Sequence, residues 1–233
     1  MKLIVIGDIH GRESWKNLID HSALNVFVGD YFDPYDDIPF ETMRDNFFDI
    51  MKFKMQYPDN VVLLYGNHDM HYFYEGDRST RYNYNHAADI QHLFAQYKHL
   101  FYGVAYSPNE KFLISHAGLT KPWAEKYLLN ITPESSVKSI EKEINSIWER
   151  DKYPFCFEAN CWPGDYYGTS PQHSPVWVRS ETLYKYAFNK ELPWKQVVGH
   201  TQFIKIVEEG KVTKNLVFID CLGTVPQAYE IFL

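Results

Sequence analysis

Cysteine is scarce in this sequence, with only Cys156, Cys161 and Cys221 in 233 residues. So sparse and odd a count excludes a disulfide framework and fits a reducing compartment. Cys156 and Cys161 have no second cysteine pair or histidine pair near them, which argues against a zinc knot of standard spacing. Positive charge is also in deficit: 23 Lys and Arg stand against 30 Asp and Glu, for a formal net charge of −7. A general nucleic-acid binder needs a basic face to displace counterions, so that class is excluded, although a local positive site is not. Long apolar runs are missing as well. Nothing approaches the roughly 20 apolar residues of a membrane span, and Leu3 to Gly7 in "MKLIVIGDIHG" is too short for a signal peptide. No repeat, low-complexity tract or clear linker is present. The expectation is a cytoplasmic, soluble protein without a membrane partner, in which residues 1–233 form one domain.

Aromatic residues, by contrast, are abundant. They make up 17% of the chain, with 18 Tyr and 16 Phe, enough to fill a core and its loops without implying a ligand. Leu3 to Ile6 is a β-branched run ending in Gly-Asp and reads as a buried strand. Glu13 to Ile19 predicts a helix with Trp15, Leu18 and Ile19 on one face. "NVFVGD" at Asn25 is a second strand, Glu41 to Met55 a helix, and "VVLLYGNHD" a third strand. Strand, helix, strand, helix, strand is the order of an α/β layered core. The chain is then helical and aromatic-rich through about Tyr102. "KFLISHAG" at Lys111 repeats the strand-to-polar-turn pattern. Trp123 to Leu129 and Val137 to Arg150 predict helices, with Thr132-Pro133 as a helix start. Residues 151–174 read as a long surface loop, either a lid or an insertion. "KQVVGHT" predicts a strand and turn, and the C-terminal stretch antiparallel strands joined at Glu209-Gly210.

Five apolar strands end in a glycine or small residue and then present metal-ligand chemistry: "GDIHG" at Gly7, "GDYFD" at Gly29, "GNHD" at Gly66, "HAG" at His116 and "GHT" at Gly199. The carboxyl ends of strands in an α/β sheet converge on one edge, where ligands bind. The side chains collected there are Asp8, His10, Asp30, Asn67, His116 and His200. Six mixed N and O donors exceed one tetrahedral zinc and suit two transition-metal ions with open positions. Asp30 can bridge both. Two ions about 3.5–4 Å apart form a clamp for in-line displacement at phosphorus, and the water bridging them becomes a hydroxide nucleophile near neutral pH. With Asp8, Asp30 and a hydroxide against two divalent ions, the site keeps about one net positive charge and attracts phosphate. Each motif alone is weak, but all five in order, each after an apolar strand, mark a functional site.

In that order, GD-x-H-G, GD-x-x-D, GNH-D/E, H-A/G-G and GH-T resemble the calcineurin-like metallophosphoesterases, specifically the phosphoprotein phosphatase branch. The blocks extend from Gly7 to Thr201 and so cover most of the chain. The resemblance implies a four-layer α/β/β/α sandwich with a dinuclear metal site at the strand C-terminal edge. It implies Asp8, His10 and Asp30 on one ion, and Asp30, Asn67, His116 and His200 on the other. Mn is the expected metal, and the same donors accept Fe, Zn or Ni. It also implies that His68 protonates the leaving-group oxygen, paired with Asp33. The chemistry agrees, since an alkoxide needs a donor whose pKa lies near neutral and a carboxylate that orients the ring and holds it protonated. The plainer reading of Asp33 is a turn residue before Pro34. Asp69 is expected to brace the turn by hydrogen bonds.

The sequence departs from the pattern in two places. Where the phosphatase branch continues GD-x-x-D-R-G, Pro34 stands in place of the phosphate-clamping arginine. Arg179 in "PVWVRSE" is the expected substitute, beside Asn67 at the phosphate, because a guanidinium makes bidentate phosphate contacts. A surface ion pair is its plainer reading, and Arg12, Arg78 and Arg81 are lesser candidates. Phosphodiesterase members usually read GH-x-H, and here Gln202 holds the second position, which favours the phosphatase branch. "YFYEGDRSTRYNYN" at Tyr72 reads either as a substrate wall or, preferably, as rings packed on the core. The leading expectation is a metal-dependent phosphatase that hydrolyses phosphomonoesters of a protein, nucleotide or small molecule. The alternative is a dinucleoside-polyphosphate hydrolase or other phosphodiesterase. A non-catalytic scaffold is the third reading, disfavoured because all six donors are present.

Overall fold

Alternate side chains of β1 (Lys2–Ile6) enter two different cores, and that alternation organises the molecule. The computed structural model describes residues 2–74, 81–208 and 215–233. Leu3 and Val5 join Val26 and Val62 of one sheet with Ile114, Val197 and Val217 of another in a buried layer between the two. Ile4 and Ile6 face outward and pack with Phe47, Ile50 and Met51 of helix α1 (Phe40–Gln56). A strand apolar on both faces must be covered on both, and here a second sheet covers one face and helices the other.

The first sheet has the order β3-β2-β1-β9, with β2 (Leu24–Phe27) and β3 (Val61–Leu63) parallel to β1 and β9 (Tyr229–Phe232) antiparallel to it. The second comprises β4 (Ala105–Asn109), β5 (Phe112–Ser115), β6 (Lys195–Val198), β7 (Val207–Glu208) and β8 (Leu216–Phe218), in the order β4-β5-β6-β8-β7. Its three middle strands are parallel, and the two antiparallel ones lie at its edges. Between β3 and β4 come helices α2 (Asn67–Phe73) and α3 (Ala87–Tyr97). The second sheet is flanked by α5 (Val137–Arg150), which lies against β4 and β5, and α6 (Ser180–Tyr186), whose Leu183 packs with Val198, Leu216 and Phe218. In α5 the buried Ile140, Ile144 and Ile147 recur at helical spacing, giving one apolar stripe. The result is the expected α/β/β/α layering. No helix among the described residues is long and apolar enough to cross a membrane.

Several local expectations are corrected. Glu13 to Ile19 is not an α-helix: only Ser14–Asn17 forms a short 3-10 turn, and Trp15 alone of that turn is buried. A single anchored ring does not offset the cost of nucleating a longer helix. Thr132-Pro133 starts no helix; Ser136 caps α5 by accepting the Ser139 N–H at 3.1 Å. The Thr-Pro start belongs instead to α4 (Lys121–Tyr127), capped by Thr120 with Pro122 in its first turn. Strand β4 and helix α6 were not anticipated. The C-terminal strands are divided between the sheets, with β8 parallel to β6 and antiparallel to β7, while β9 closes the first sheet beside β1. The expected turn at Glu209-Gly210 lies outside the described residues.

Candidate metal centre

Parallel pairing brings the ends of β1, β2 and β3 to one edge, and those of β5, β6 and β8 to the corresponding edge of the second sheet. Hydrogen bonds tie the two edges together. The His200 N–H donates to Asp8 Oδ2 at 2.9 Å, and His116 Nδ1 to the Val28 carbonyl at 3.0 Å. All six expected donors lie at this junction, each 0–7% exposed. His10, Asp30 and His200 adopt left-handed backbone at φ 44°, 55° and 63°, as does Asp33 at 59°. Such conformations cost non-glycine residues of order 1 kcal/mol or more, and they cluster where a side chain must be aimed. Two glycines make the room. A Cβ at Gly66 would lie 2.2 Å from Asp30 Oδ1, and one at Gly199 would lie 2.1 Å from Asp8 Oδ1.

Proton positions follow from the carbonyl partners. His10 Nδ1 lies 2.9 Å from the Phe32 carbonyl, so it donates there and leaves the Nε2 lone pair facing Asp30 Oδ2 at 3.6 Å. His116 likewise donates from Nδ1, leaving Nε2 2.8 Å from Asn67 Oδ1 and 3.4 Å from Asp30 Oδ2. His200 Nδ1 approaches the same Asn67 oxygen at 2.9 Å, while its buried Nε2 makes no hydrogen bond of good geometry among the described residues. Lone pairs thus face lone pairs. Asp30 Oδ2 sits between the Nε2 atoms of His10 and His116, and Asp30 Oδ1 is fixed by the His68 N–H at 2.9 Å. Donor atoms of Asp8, His10 and Asp30 all lie within 4.8 Å of one another.

The electrostatics point the same way. Burial, reinforced by neighbouring carboxylates, pushes Asp8 and Asp30 well above the ordinary carboxylate range. Burial also drives His10 and His200 well below the usual imidazole value, and His116 down to about 3. Neutral imidazoles with fixed tautomers, crowded against carboxylates that burial disfavours, are the donor chemistry of a transition-metal site. The residues present fit divalent cations.

His68 stands apart from that set. Its Nδ1 lies 3.2 Å from Asp33 Oδ2, and the ring lines a cavity of about 170 Å³ together with His10, Asp30 and His200. Burial lowers the His68 pKa, and the Asp33 hydrogen bond and charge oppose that shift while orienting the ring. Asp33 is more than a turn residue. It also accepts from His71 Nε2 at 2.6 Å and from the Tyr72 hydroxyl, and hydrogen bonds from His68 and His71 hold its carboxyl low despite burial. Asn67, His68, His71 and Tyr72 all lie on α2, so the "GNHD" segment is a helix start and not an open turn. Asp69 braces it, accepting from the Gly66, Asp30 and Tyr31 N–H groups at 2.8–2.9 Å.

Arg179 lines the cavity, with Nε on the Tyr167 carbonyl at 3.1 Å and Nη1 on the His200 carbonyl at 3.2 Å. Arg12, Tyr35, Gln202 and Asp220 line it too. Arg81 donates to the Pro34 carbonyl at 2.8 Å and stacks over Tyr35 at 4.2 Å, whereas Arg78 lies outside the described residues. Residues 75–80 of the proposed substrate wall are also outside them. Tyr72 is buried against Asp33 and Tyr82 stacks on it, while Tyr84 is exposed. Residues 151–174 are not simply a surface loop: Phe155, Asn160, His173 and Ser174 are buried, whereas Tyr166 and Tyr167 are largely exposed.

Sequence reasoning missed His71, Tyr72 and Asp220. The first two lie three and four residues beyond His68, the spacing that places helical side chains on one face. Asp220 follows the apolar strand β8 in "NLVFIDCLG", a sixth strand that ends in a ligand-type side chain, here without a glycine before it. Burial pushes its carboxyl up to about 6.

The profile of the calcineurin-like phosphoesterase family matches residues 1–202. No curated protein matches the chain in sequence. Among solved structures, a cold-active protein-tyrosine phosphatase from the psychrophile Shewanella sp. is similar over 98% of this chain and 74% of its own, at 16% identity and TM-score 0.58. A protein serine/threonine phosphatase from Saccharomyces cerevisiae is similar over 94% of this chain and 67% of its own, at 19% identity and TM-score 0.54. At these identities the likeness is one of fold.

Proposed function

The chain belongs to the calcineurin-like phosphoesterase family, and from that premise we propose that this metal-dependent phosphoesterase is a phosphomonoesterase with His68 as its general acid. One observation carries the reading: His68, oriented by Asp33, lines the same small cavity as the donor set yet lies outside that set. Asp8, His10 and Asp30 would hold one ion, and Asp30, Asn67, His116 and His200 the other, with Mn preferred. When bound, the ions supply Lewis-acid charge at phosphorus and acidify a water.

The chain's own groups do the rest. Arg179, tethered through Nε and Nη1, is left with Nη2 for phosphate oxygens, and Asn67 is the second proposed substrate contact. His68 delivers a proton from Nε2 to the leaving oxygen while Asp33 fixes the ring through Nδ1. The lone pairs of His10 and His116 stay directed inward because the Phe32 and Val28 carbonyls hold their Nδ1 protons. Gln202 in place of a further imidazole supports the monoesterase reading, since it leaves one strong donor fewer on the first ion. The comparison that tests this is hydrolysis of a mono-aryl against a bis-aryl phosphate under Mn²⁺. Preference for the monoester is expected, and strong preference for the diester would hand the assignment to a phosphodiesterase.

A further inference from the structure

We propose that Arg12 is a second phosphate-binding residue, lining the same cavity as Arg179 and taking non-bridging oxygens of a phosphomonoester dianion. The proposal rests on the phosphomonoesterase reading above and deepens it. Arg12 follows Gly11, where left-handed backbone at φ 73° turns the chain after the "GDIHG" strand end. Its amide donates to the Ile9 carbonyl at 2.9 Å and its carbonyl accepts from Asn46 Nδ2 at 3.1 Å, so the backbone is fixed on both sides. Its side chain is only 9% exposed and lines the cavity beside His10, Gln202 and Asp220.

The guanidinium has five N–H donors, and among the described residues only Nε is used, on Asp36 Oδ2 at 2.9 Å. No ion pair joins Arg12 to Asp220 or Asp8 among the described residues, although both carboxylates line or adjoin the cavity. A largely enclosed cation with unused paired donors in a cavity calls for an acceptor of matching planar geometry, and phosphate oxygens supply it. Tethering through Nε resembles that of Arg179 and leaves the terminal nitrogens for ligand. Pro34 offers no such donor.

Gly223 adds an independent observation. Its φ lies outside the left-handed range, so glycine is not needed there for conformation. What it leaves is room for these two tips where they lie: a Cβ would sit 2.8 Å from Arg12 Nη2 and 2.5 Å from Gln202 Nε2. The surface there is shaped around the ends of these two side chains. Because both are flexible tips, Gly223→Ala should displace them while sparing the core.

The test is calorimetric binding of inorganic phosphate to Mn²⁺-loaded wild type, Arg12→Gln, Arg12→Lys and Gly223→Ala, with metal content and KM and kcat for a mono-aryl phosphate measured alongside. Arg12→Gln should weaken phosphate about 10- to 100-fold, the loss of a charge-assisted contact, and raise KM more than it lowers kcat, with metal stoichiometry unchanged. Arg12→Lys should recover part of the loss, and Gly223→Ala should fall between. Unchanged phosphate affinity in Arg12→Gln overturns the proposal. So does a loss confined to metal content, which would make Arg12 a neutraliser of Asp8 and Asp220. If Arg12→Gln fails to fold, Gly223→Ala decides, with unchanged phosphate affinity counting against. Wild type that neither binds phosphate nor hydrolyses the aryl ester sinks the phosphomonoesterase reading itself, a result distinct from binding that ignores Arg12.

Discussion

In the donor set, His116 Nε2 and Asn67 Oδ1 meet at 2.8 Å with the His116 proton already committed to the Val28 carbonyl on the ring's other side. In the neighbouring cluster, Asp33 receives His68, His71 and Tyr72, so its contacts pair donors with an acceptor. Both are buried groups of imidazoles and carboxylates on the same strand edge, joined by the His68 N–H on Asp30. The difference lies in what completes them. Acceptors facing acceptors in a low-dielectric site are unfavourable until a cation sits between them. A carboxylate ringed by donors is complete as it stands and serves to fix a ring. The same residue types thus offer cation-binding chemistry in one place and, beside it, a positioned imidazole that we propose as the acid.

That contrast can be broken most severely at Asp30, which meets the His10 and His116 rings and also takes the His68 N–H. Asp30→Asn should abolish turnover and remove at least one ion, as measured by elemental analysis of Mn²⁺-loaded protein; retention of two ions would remove Asp30 from the bridging role. His68→Asn should separate the clusters. It is expected to lower kcat for an alkyl phosphate by roughly 10²–10⁴ with metal content intact, and near-wild-type turnover would end its assignment as the acid. An aryl phosphate is the weaker probe because its leaving group needs less protonation.

Metal affinity gives a smaller, graded signal. Burial raises Asp8 and Asp30 in the metal-free protein, so both carry protons to higher pH than ordinary carboxylates and must release them to a cation. Mn²⁺ should therefore bind more weakly as pH falls, and calorimetry in buffers of different ionisation enthalpy should detect proton release. Uptake of protons on binding would contradict this description of the site. The mildest change is Tyr72→Phe, which takes one of three donors from Asp33 and should cost about tenfold or less in kcat. A loss as large as that of His68→Asn would mean that Tyr72 does more than hold Asp33.

Much of this was legible in the one-dimensional pattern. The strands ending at Ile6, Phe27, Leu63, Ser115 and Val198 all stop within three residues of the turns that begin at Gly7, Gly29, Gly66, His116 and Gly199, because an apolar run buried on both faces must stop where polar ligands begin. Glu13 to Ile19 misled because helical spacing exists there without enough buried area to hold a helix. His71 and Tyr72 were hidden for a different reason. Nothing local shows that the start of α2 docks on Asp33, 38 and 39 residues earlier in the chain.

The sequence by itself determined which six residues offer donor chemistry at strand ends, since strand length, glycine placement and ligand chemistry are local properties, whereas the proposed acid role of His68 came from the family resemblance. Tertiary structure alone decided which lone pairs face one another, that Asp220, Arg12 and Gln202 join the same cavity, and that Asp33 is shared by three donors. Those facts depend on two sheets packing face to face through Leu3, Val5, Ile114 and Val197. A packing of layers fixes distances between residues as far apart as Asp8 and His200, which no spacing along the chain encodes.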